Sequence, residues 1–294
     1  MSNATTEVNE LSNSTMSFEQ IGLIPPLLAR LTELEYQQPT PIQAQAIPSV
    51  LAGRDLIAGA NTGSGKTATF ALPLLQQIHN QQPNFRDSKG SFVTGLVLVP
   101  TRELAKQVAD SIRSYAVHFN GKIKTIAVFG GVSVNTQMQA LRGGTDILVA
   151  TPGRLLDLIS SNAIKLDQVK TLVLDEADRM LSLGFTEELS ALLTLMPKQK
   201  QTLLFSATFP EQVQRLTQKL LTNPVEIQVQ SADASTLVQR VFTVTKGEKT
   251  AVLAHLIKQN EWRQALIFVN AKNSCEHLAD KLSKRGISAE VFHG

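Results

Sequence analysis

The sequence has little cysteine, few aromatic residues and no long apolar run. Cys275 is the only cysteine among 294 residues, so an internal disulfide is excluded, and aromatic residues make up 5% of the chain. No apolar segment approaches the ~20 residues that a membrane-spanning helix needs. We therefore expect no membrane partner and a protein that folds around a hydrophobic core in a reducing compartment, for which the cytoplasm fits best.

The sequence also lacks any long segment in which charged residues of one sign are concentrated. The net charge is +3, which is compatible with a nucleic-acid partner, but lysines and arginines are scattered and form no basic block. Residues 1–17 are rich in Ser, Asn, Thr and Glu and lack both the basic and the apolar segment of a signal peptide. They are predicted to be a disordered tail.

A glycine-rich segment, Ala60-Asn61-Thr62-Gly63-Ser64-Gly65-Lys66-Thr67, is the first sign of chemistry. Such a turn at the start of a helix surrounds phosphate oxygens with backbone N–H groups, while the lysine neutralises charge and the threonine hydroxyl reaches Mg²⁺. Ala60 stands where the strict phosphate-loop pattern has its first glycine. The context compensates, because 55–59 is predicted as a strand and 67–80 as a helix.

An acidic segment, Asp175-Glu176-Ala177-Asp178, follows the apolar stretch 171–174. A buried strand would deliver Asp175 to the carboxyl edge of a sheet to hold a metal ion, with Glu176 beside it to orient water. Alone, the acidic cluster is typical of a solvated loop and the glycine-rich segment of a flexible turn. Together they predict a nucleoside triphosphatase that uses Mg²⁺.

Short apolar segments alternate with helical patterns along the chain, which predicts an α/β fold with a doubly wound parallel sheet. Besides 55–59, the predicted strands are 96–99, 125–129, 147–150, 171–174, 203–205 and 225–229. Polar or glycine-rich groups follow most of them directly. Because the carboxyl ends of parallel strands share one edge, these groups are expected to line a continuous active surface.

A second, smaller domain is predicted after a small polar linker at 231–238. Residues 239–294 contain candidate strands at 241–244, 265–269 and 289–292 and candidate helices at 249–259 and 274–285. The first domain would then cover 18–230. Three strands and two helices make a marginal core, with an edge strand left unpaired.

With these motifs in place, the chain closely resembles the bacterial DEAD-box ATP-dependent RNA helicases from Phe18 onward. The resemblance implies a RecA-like phosphate-loop NTPase domain followed by an incomplete second domain of the same type. It also implies RNA-stimulated ATP hydrolysis coupled to local unwinding or remodelling of RNA duplexes. The family's late arginine-rich segment has no counterpart here, so activity is expected to be impaired.

The resemblance also assigns the nucleotide site. Residues 18–43 match the family's adenine-reading Q motif, with Gln43 facing the base and Phe18 and Tyr36 as its aromatic residues, although Glu35 replaces the usual glycine. Lys66 carries over as a phosphate ligand, Thr67 and Asp175 as the Mg²⁺ residues, and Glu176 as the group that polarises water. Asp178, Ser206 and Thr208 match elements that couple ATP to RNA, although both hydroxyls could simply cap a turn. The remaining phosphate-loop residues assigned to ATP are Thr62, Gly63, Ser64 and Gly65.

RNA contacts are implied at the ends of three predicted strands and once in the second domain. Small residues allow close backbone approach, hydroxyl and N–H groups bind phosphate, and arginine adds charge, so binding should not depend on sequence. Gly130-Gly131 alone would be an ordinary turn. The assigned residues are Pro100, Thr101, Arg102, Glu103, Gly130, Gly131, Thr151, Pro152, Gly153, Arg154 and Asn270.

Two other functions stay open from the sequence. The chain could be a non-catalytic module that binds ATP, RNA or a protein partner, which would require RNA binding without ATP. It could also be a DNA-translocating relative with the same sheet, although the adenine-reading segment and the Asp-Glu-Ala-Asp sequence argue against this. Comparing stimulation by RNA and by DNA distinguishes the last alternative.

Overall fold

The computed structural model describes residues 16–60, 63–81, 92–119, 123–229, 238–245 and 247–293. These residues belong to two compact units, Met1–Ala234 and Ser235–Gly294. Within the described ranges, no helix is long and apolar enough to cross a membrane. The predicted tail at 1–17 is described only for its last two residues, and 231–237 of the predicted linker lie outside the described residues.

The first unit is built on a seven-stranded sheet in which every pairing is parallel. The order across the sheet is β3-β4-β2-β5-β6-β1-β7. The strands are β1 (Leu56–Gly59), β2 (Val93–Leu98), β3 (Thr125–Val128), β4 (Thr145–Ala150), β5 (Thr171–Leu174), β6 (Gln201–Ser206) and β7 (Val225–Gln228). All seven predicted strands of this unit, and hence the predicted fold class, are confirmed.

Helices cover both faces of this sheet. Alternating residues of one strand belong to different cores: in β6, Leu203 and Phe205 pack in one apolar cluster and Leu204 in the other. The first cluster joins the sheet to α1 (Pro25–Glu33), α2 (Pro41–Leu51), α3 (Lys66–Asn80) and α4 (Arg102–Tyr115). The second joins it to α5 (Val134–Ala140), α6 (Pro152–Ser160), α7 (Ala177–Ser182), α8 (Thr186–Thr194) and α9 (Glu211–Leu220).

The second unit contains α10 (Lys249–Gln259) and α11 (Lys272–Ser283), close to the two predicted helices. The three predicted strands are wrong: in this unit the described residues 238–245 and 247–293 form no strand. Val241, Phe268 and Phe292, one from each segment, are 94%, 88% and 98% exposed. A strand requires a hydrogen-bonded neighbour and a buried face, and these apolar segments have neither.

Candidate functional site

The strand order divides the carboxyl edge of the sheet into two halves. The segments predicted to bind nucleotide follow β5, β6 and β1, which are adjacent in the sheet. The segments predicted to contact RNA in this unit follow β3, β4 and β2, which are adjacent on the other side. The boundary between the two halves lies between β2 and β5, which pair directly. We call them the nucleotide half and the RNA half.

The glycine-rich loop leads from β1 into α3, as the sequence predicts. Gly63 and Gly65 have φ values of +83° and +91°, which only glycine adopts readily, and Gly65 caps α3. Lys66 is buried, and its Nζ donates to the carbonyl oxygen of Ala60 at 2.9 Å. The Oγ of Ser64 is buried and has no hydrogen-bond partner among the described residues. Thr62 lies outside the described residues.

Residues of the Q motif at the start of α2 form hydrogen bonds with this loop. The amide of Gln43 accepts from Thr40 N at 3.0 Å and donates to Gly65 O at 3.2 Å, and Thr40 Oγ1 donates to Ser64 O at 2.9 Å. Gln43 is 2% exposed. A Cβ on Gly65 would lie 2.5 Å from Gln43 Nε2, so the contact itself requires glycine. The loop and the predicted adenine-reading residue thus form one hydrogen-bonded structure.

The two predicted adenine-stacking aromatics differ in exposure. Phe18 is 5% exposed and its ring centre lies 6.4 Å from that of Tyr36, which is 39% exposed. The Tyr36 hydroxyl lies 3.2 Å from the hydroxyl of Tyr115, a residue that sequence reasoning missed. Burial, and then this contact, raise the pKa of Tyr115, so its phenol stays protonated. Of these three aromatic side chains, Tyr36 is therefore the one accessible to a ligand, and Phe18 and Tyr115 pack beside it.

Asp175, at the end of β5, is a nearly inaccessible carboxyl group. It is 3% exposed, and burial raises its pKa to about 6, opposed by the Lys66 ammonium and assisted by the Glu176 carboxylate. Glu176 has a left-handed backbone, with φ +53° and ψ +52°, at the start of α7. Its Oε2 lies 3.1 Å from Arg179 NH1. Sequence reasoning missed Arg179. The only sign of its role in the sequence is that it lies three residues after Glu176.

Asp178 connects β5 to the end of β6. Its Oδ2 accepts from both the backbone N and the Oγ1 of Thr208, at 3.0 and 2.7 Å. Ser206 Oγ donates to Thr208 O at 2.7 Å and accepts from Asp178 N at 3.3 Å. Burial raises the pKa of Asp178, but hydrogen bonds from Thr208 and Ser206 outweigh it and lower that pKa overall. The structure therefore brings these three predicted residues together in one network.

The RNA half is more open. Arg102 is 56% exposed, forms an ion pair with the neighbouring Glu103, and would lie 3.1 Å from a Cβ added to Gly131. Thr101 caps α4, since its Oγ1 accepts from Leu104 N. Gly130 is exposed and Gly153 is partly exposed, whereas three of the predicted contacts, Pro100, Thr151 and Pro152, are buried.

Two predicted contacts stand apart from this surface. The Arg154 side chain is only 10% exposed and is bound to the loop after β3. Asn270 is exposed but belongs to the second unit, so the structure does not relate it to the others.

Together, the parallel sheet, the two helical layers and the loop between β1 and α3 define a RecA-like α/β protein. The sequence model of the DEAD/DEAH box helicases matches residues 40–216. The chain belongs to this helicase family.

Known proteins cover nearly the whole chain. It is 39% identical over 280 residues to the ATP-dependent RNA helicase DeaD of Escherichia coli K12, across 95% of this chain and 43% of that protein. It is 38% identical to the DEAD-box ATP-dependent RNA helicase CshA of Bacillus cereus, covering 51% of it. Among solved structures, a DEAD box protein from the hyperthermophile Methanococcus jannaschii aligns with a TM-score of 0.65 at 35% identity, over 95% of this chain and 73% of that one. The chain thus spans about half the length of these curated relatives.

Proposed function

We propose that this chain belongs to an ATP-dependent RNA helicase, in which ATP hydrolysis stimulated by RNA drives local remodelling of RNA duplexes. The observation that carries the proposal is the division of one sheet edge into adjacent nucleotide and RNA halves. Relatives named as ATP-dependent RNA helicases support it.

The nucleotide half fits a nucleoside triphosphate. Positive-φ glycines open the loop, the buried Ser64 Oγ has no partner in the described part of the chain, and the Lys66 ammonium is held beside the loop by Ala60 O. All three properties suit phosphate oxygens, which accept hydrogen bonds and carry negative charge. The adenine would stack on Tyr36 and be read by Gln43. The bonds to Thr40 and Gly65 use one hydrogen-bonding position at each end of the Gln43 amide. The second N–H and the second oxygen lone pair would then read adenine.

The donor set at the end of β5 fits Mg²⁺. Within the described ranges, no group of three or more His, Cys, Asp or Glu is placed to hold a metal. Mg²⁺ in nucleotide sites is held by one or two protein ligands plus phosphates, which matches Asp175 and Thr67. Bound there, Mg²⁺ would neutralise charge on the phosphates. The pKa of Asp175 is raised because the Lys66 ammonium offsets the effect of burial only in part. A cation bound beside this carboxyl group would stabilise its charged form.

Glu176 would orient the attacking water and accept its proton. Its carboxylate is bound by Arg179, and its backbone N donates to Asp175 Oδ1 at 3.0 Å. A change of the bound nucleotide would rearrange the hydrogen bonds among Asp178, Ser206 and Thr208. This rearrangement would be transmitted to the neighbouring strand ends.

The RNA half would bind the backbone of a single strand. Arg102 supplies the exposed charge, and Thr101, Gly130, Gly131 and Gly153 supply backbone groups. Such contacts read phosphates and 2′-hydroxyls and not base edges, so binding should be independent of sequence and should weaken with salt. A cytoplasmic location is part of the proposal, and cell fractionation tests it.

The direct test is steady-state ATP hydrolysis by the purified chain with and without single-stranded RNA. The matched control is Glu176→Gln, which keeps the size of the side chain and removes its charge, so any turnover left in it is contamination. Turnover stimulated by RNA more than by DNA, and lost in the variant, supports the proposal. RNA-independent turnover, or equal stimulation by DNA, contradicts it.

A further inference from the structure

We propose that Arg154 positions the glycine loop between β3 and α5 for RNA, together with Gln137, and that its guanidinium does not itself contact a phosphate. This inference rests on the proposed function, because it assigns a role within the proposed RNA half. It also gives different roles to Arg102 and Arg154, which the sequence analysis assigns alike as RNA contacts.

The surroundings of Arg154 are those of a structural side chain. Its NH1 donates to Val132 O at 2.8 Å and to Gln137 Oε1 at 3.2 Å, and its Nε lies 3.4 Å from Asp157 Oδ2. The side chain is 10% exposed and the Nε atom is shielded from solvent. A phosphate on the protein surface would have to displace these acceptors to bind NH1 or Nε of the guanidinium.

Gln137 completes the connection across the loop. It is 6% exposed, and its Nε2 donates to Phe129 O at 3.0 Å while its Oε1 accepts from Arg154. Phe129 precedes the two glycines and Val132 follows them. One Arg–Gln pair therefore holds carbonyl oxygens on both sides of Gly130-Gly131, which leaves the glycine backbone between two fixed points.

The hydrogen bonds on either side of the glycines matter because Gly131 is not restricted to one backbone conformation by a side chain of its own. Its φ of +80° is one that glycine adopts at little cost, but glycine also adopts many others. A loop that binds phosphate through backbone groups loses affinity if those groups must first be ordered. The Arg154–Gln137 pair would remove that cost by ordering them in advance.

Arg102 shows the opposite set of properties. Its side chain is 56% exposed, and in the described part of the chain its ion pair is with a still more accessible neighbour, Glu103. It also lies against Gly131, on the open side of the loop. Arg102 is therefore placed to contact phosphate, and Arg154 to hold the loop from the protein side.

The two roles predict different responses to a change that keeps the charge. A phosphate contact needs charge, which lysine supplies. Arg154 instead uses one nitrogen of a planar fork to reach two acceptors while a second nitrogen faces Asp157, and the single ammonium of lysine cannot reproduce this geometry. The partner Gln137 is uncharged and buried, so its loss should matter only if positioning matters.

The test is binding of single-stranded RNA to the full chain, followed by fluorescence anisotropy over a range of salt concentrations. We expect Arg154→Lys and Gln137→Leu each to weaken binding by about fivefold to tenfold, as for one lost hydrogen bond. The double variant should be no weaker than either single variant, and the slope of log K against log salt should be unchanged. Arg102→Ala should instead reduce that slope by about 0.7. Arg215→Lys, an exposed ion-pair arginine on α9, is the matched control.

Hydrogen exchange of the loop amides without RNA supplies a readout that a phosphate contact would not move. The amides of 130–134 should exchange faster in Arg154→Lys and Gln137→Leu, and at the normal rate in Arg102→Ala. The inference is overturned if Arg154→Lys binds RNA normally, or if Arg154→Ala lowers the salt slope as Arg102→Ala does. If Gln137→Leu does not fold, Arg154→Lys alone decides the outcome.

The two proposals can fail separately. If the unsubstituted chain binds no RNA at low salt, the proposed function fails. Exchange at 130–134 then still shows whether Arg154 and Gln137 order the loop. Unchanged exchange in both variants would overturn the positioning role even if RNA binds.

Discussion

The two halves of the sheet edge are built from the same elements but differ in where they place charge. In the nucleotide half, Lys66 and Asp175 are 8% and 3% exposed. In the RNA half, the Arg102 side chain is 56% exposed. Both halves follow parallel strands, and both use glycines with positive φ.

This difference reflects what each half would bind. A compact, highly charged triphosphate can be enclosed, and buried groups interact with it more strongly because solvent screens them less. A long RNA backbone must pass along the surface, so its contacts remain exposed and screened by salt. Changes in the nucleotide half should therefore have larger effects than equivalent changes in the RNA half.

The largest effect is expected for Lys66→Ala. Removing a buried charge that faces both Asp175 and the proposed phosphates should weaken binding of a non-hydrolysable ATP analogue by about a thousandfold, or ~4 kcal/mol. Isothermal titration calorimetry measures it, and Lys106→Ala, an exposed lysine on α4, should bind normally. Unchanged analogue binding in Lys66→Ala would show that this loop is not the phosphate site.

Asp175→Asn should stabilise the protein at neutral pH. The folded pKa is about 6 against a usual 3.8, so the folded chain holds a proton that the unfolded chain releases between these values. That contribution favours folding at low pH and is lost as the pH rises through about 6. The variant stays neutral throughout and should be more stable by about 3 kcal/mol at pH 7.5.

Urea unfolding at several pH values measures this difference, which should shrink towards zero near pH 4. Asp167→Asn, at an exposed position, serves as the control. An Asp175→Asn advantage that stays constant with pH would rule out the raised pKa as its cause.

Alanine at two positive-φ glycines compares the halves directly. At Gly65 the new Cβ would lie 2.5 Å from the buried Gln43 amide, whereas at Gly131 it would lie 3.1 Å from the movable end of Arg102. We expect Gly65→Ala to lower the free energy of unfolding by about 2 kcal/mol, from backbone strain plus a displaced hydrogen bond. Gly131→Ala should cost about 1 kcal/mol, from strain alone.

Chemical denaturation of both variants measures this comparison. Equal losses at Gly65 and Gly131 would mean that backbone strain alone determines the cost and that the buried contact with Gln43 adds nothing.

The smallest expected effect lies at Glu35, which follows α1 with a φ of +60°. Glycine is favoured at this position after a helix, so Glu35→Gly should stabilise the protein by about 0.5–1 kcal/mol. Thermal unfolding measures it. Glu35→Ala keeps the Cβ and removes the charge, so a gain as large as that of glycine would identify charge, and not strain, as the cause.

Much of the first unit could be predicted from the sequence. The segments 171–174 and 203–205 are short and, apart from Thr171, apolar, and both form central strands buried on two faces. The similar segment 265–269 was wrongly predicted as a strand, because a local pattern does not say whether a neighbouring strand exists to pair with it.

The residues that sequence reasoning missed share one property. Tyr115, Arg179 and Gln137 have ordinary surroundings in the sequence, and each gains its role from a side chain on another element or turn: Tyr36, Glu176 and Arg154. The Tyr115 and Gln137 contacts depend on how the helices pack, whereas Arg179 and Glu176 pair within one turn at the start of α7.

The sequence by itself determined the motifs of this protein: a glycine-rich loop before a helix, an acidic strand end and the family to which they belong. These are local, because a turn or a strand end is specified by a few adjacent residues. The tertiary structure alone decided the order of strands, which divides the edge into two halves, and the burial that raises the pKa of Asp175 and encloses Arg154. Pairing and burial are set by residues far apart in the chain, whose proximity only the packed fold creates.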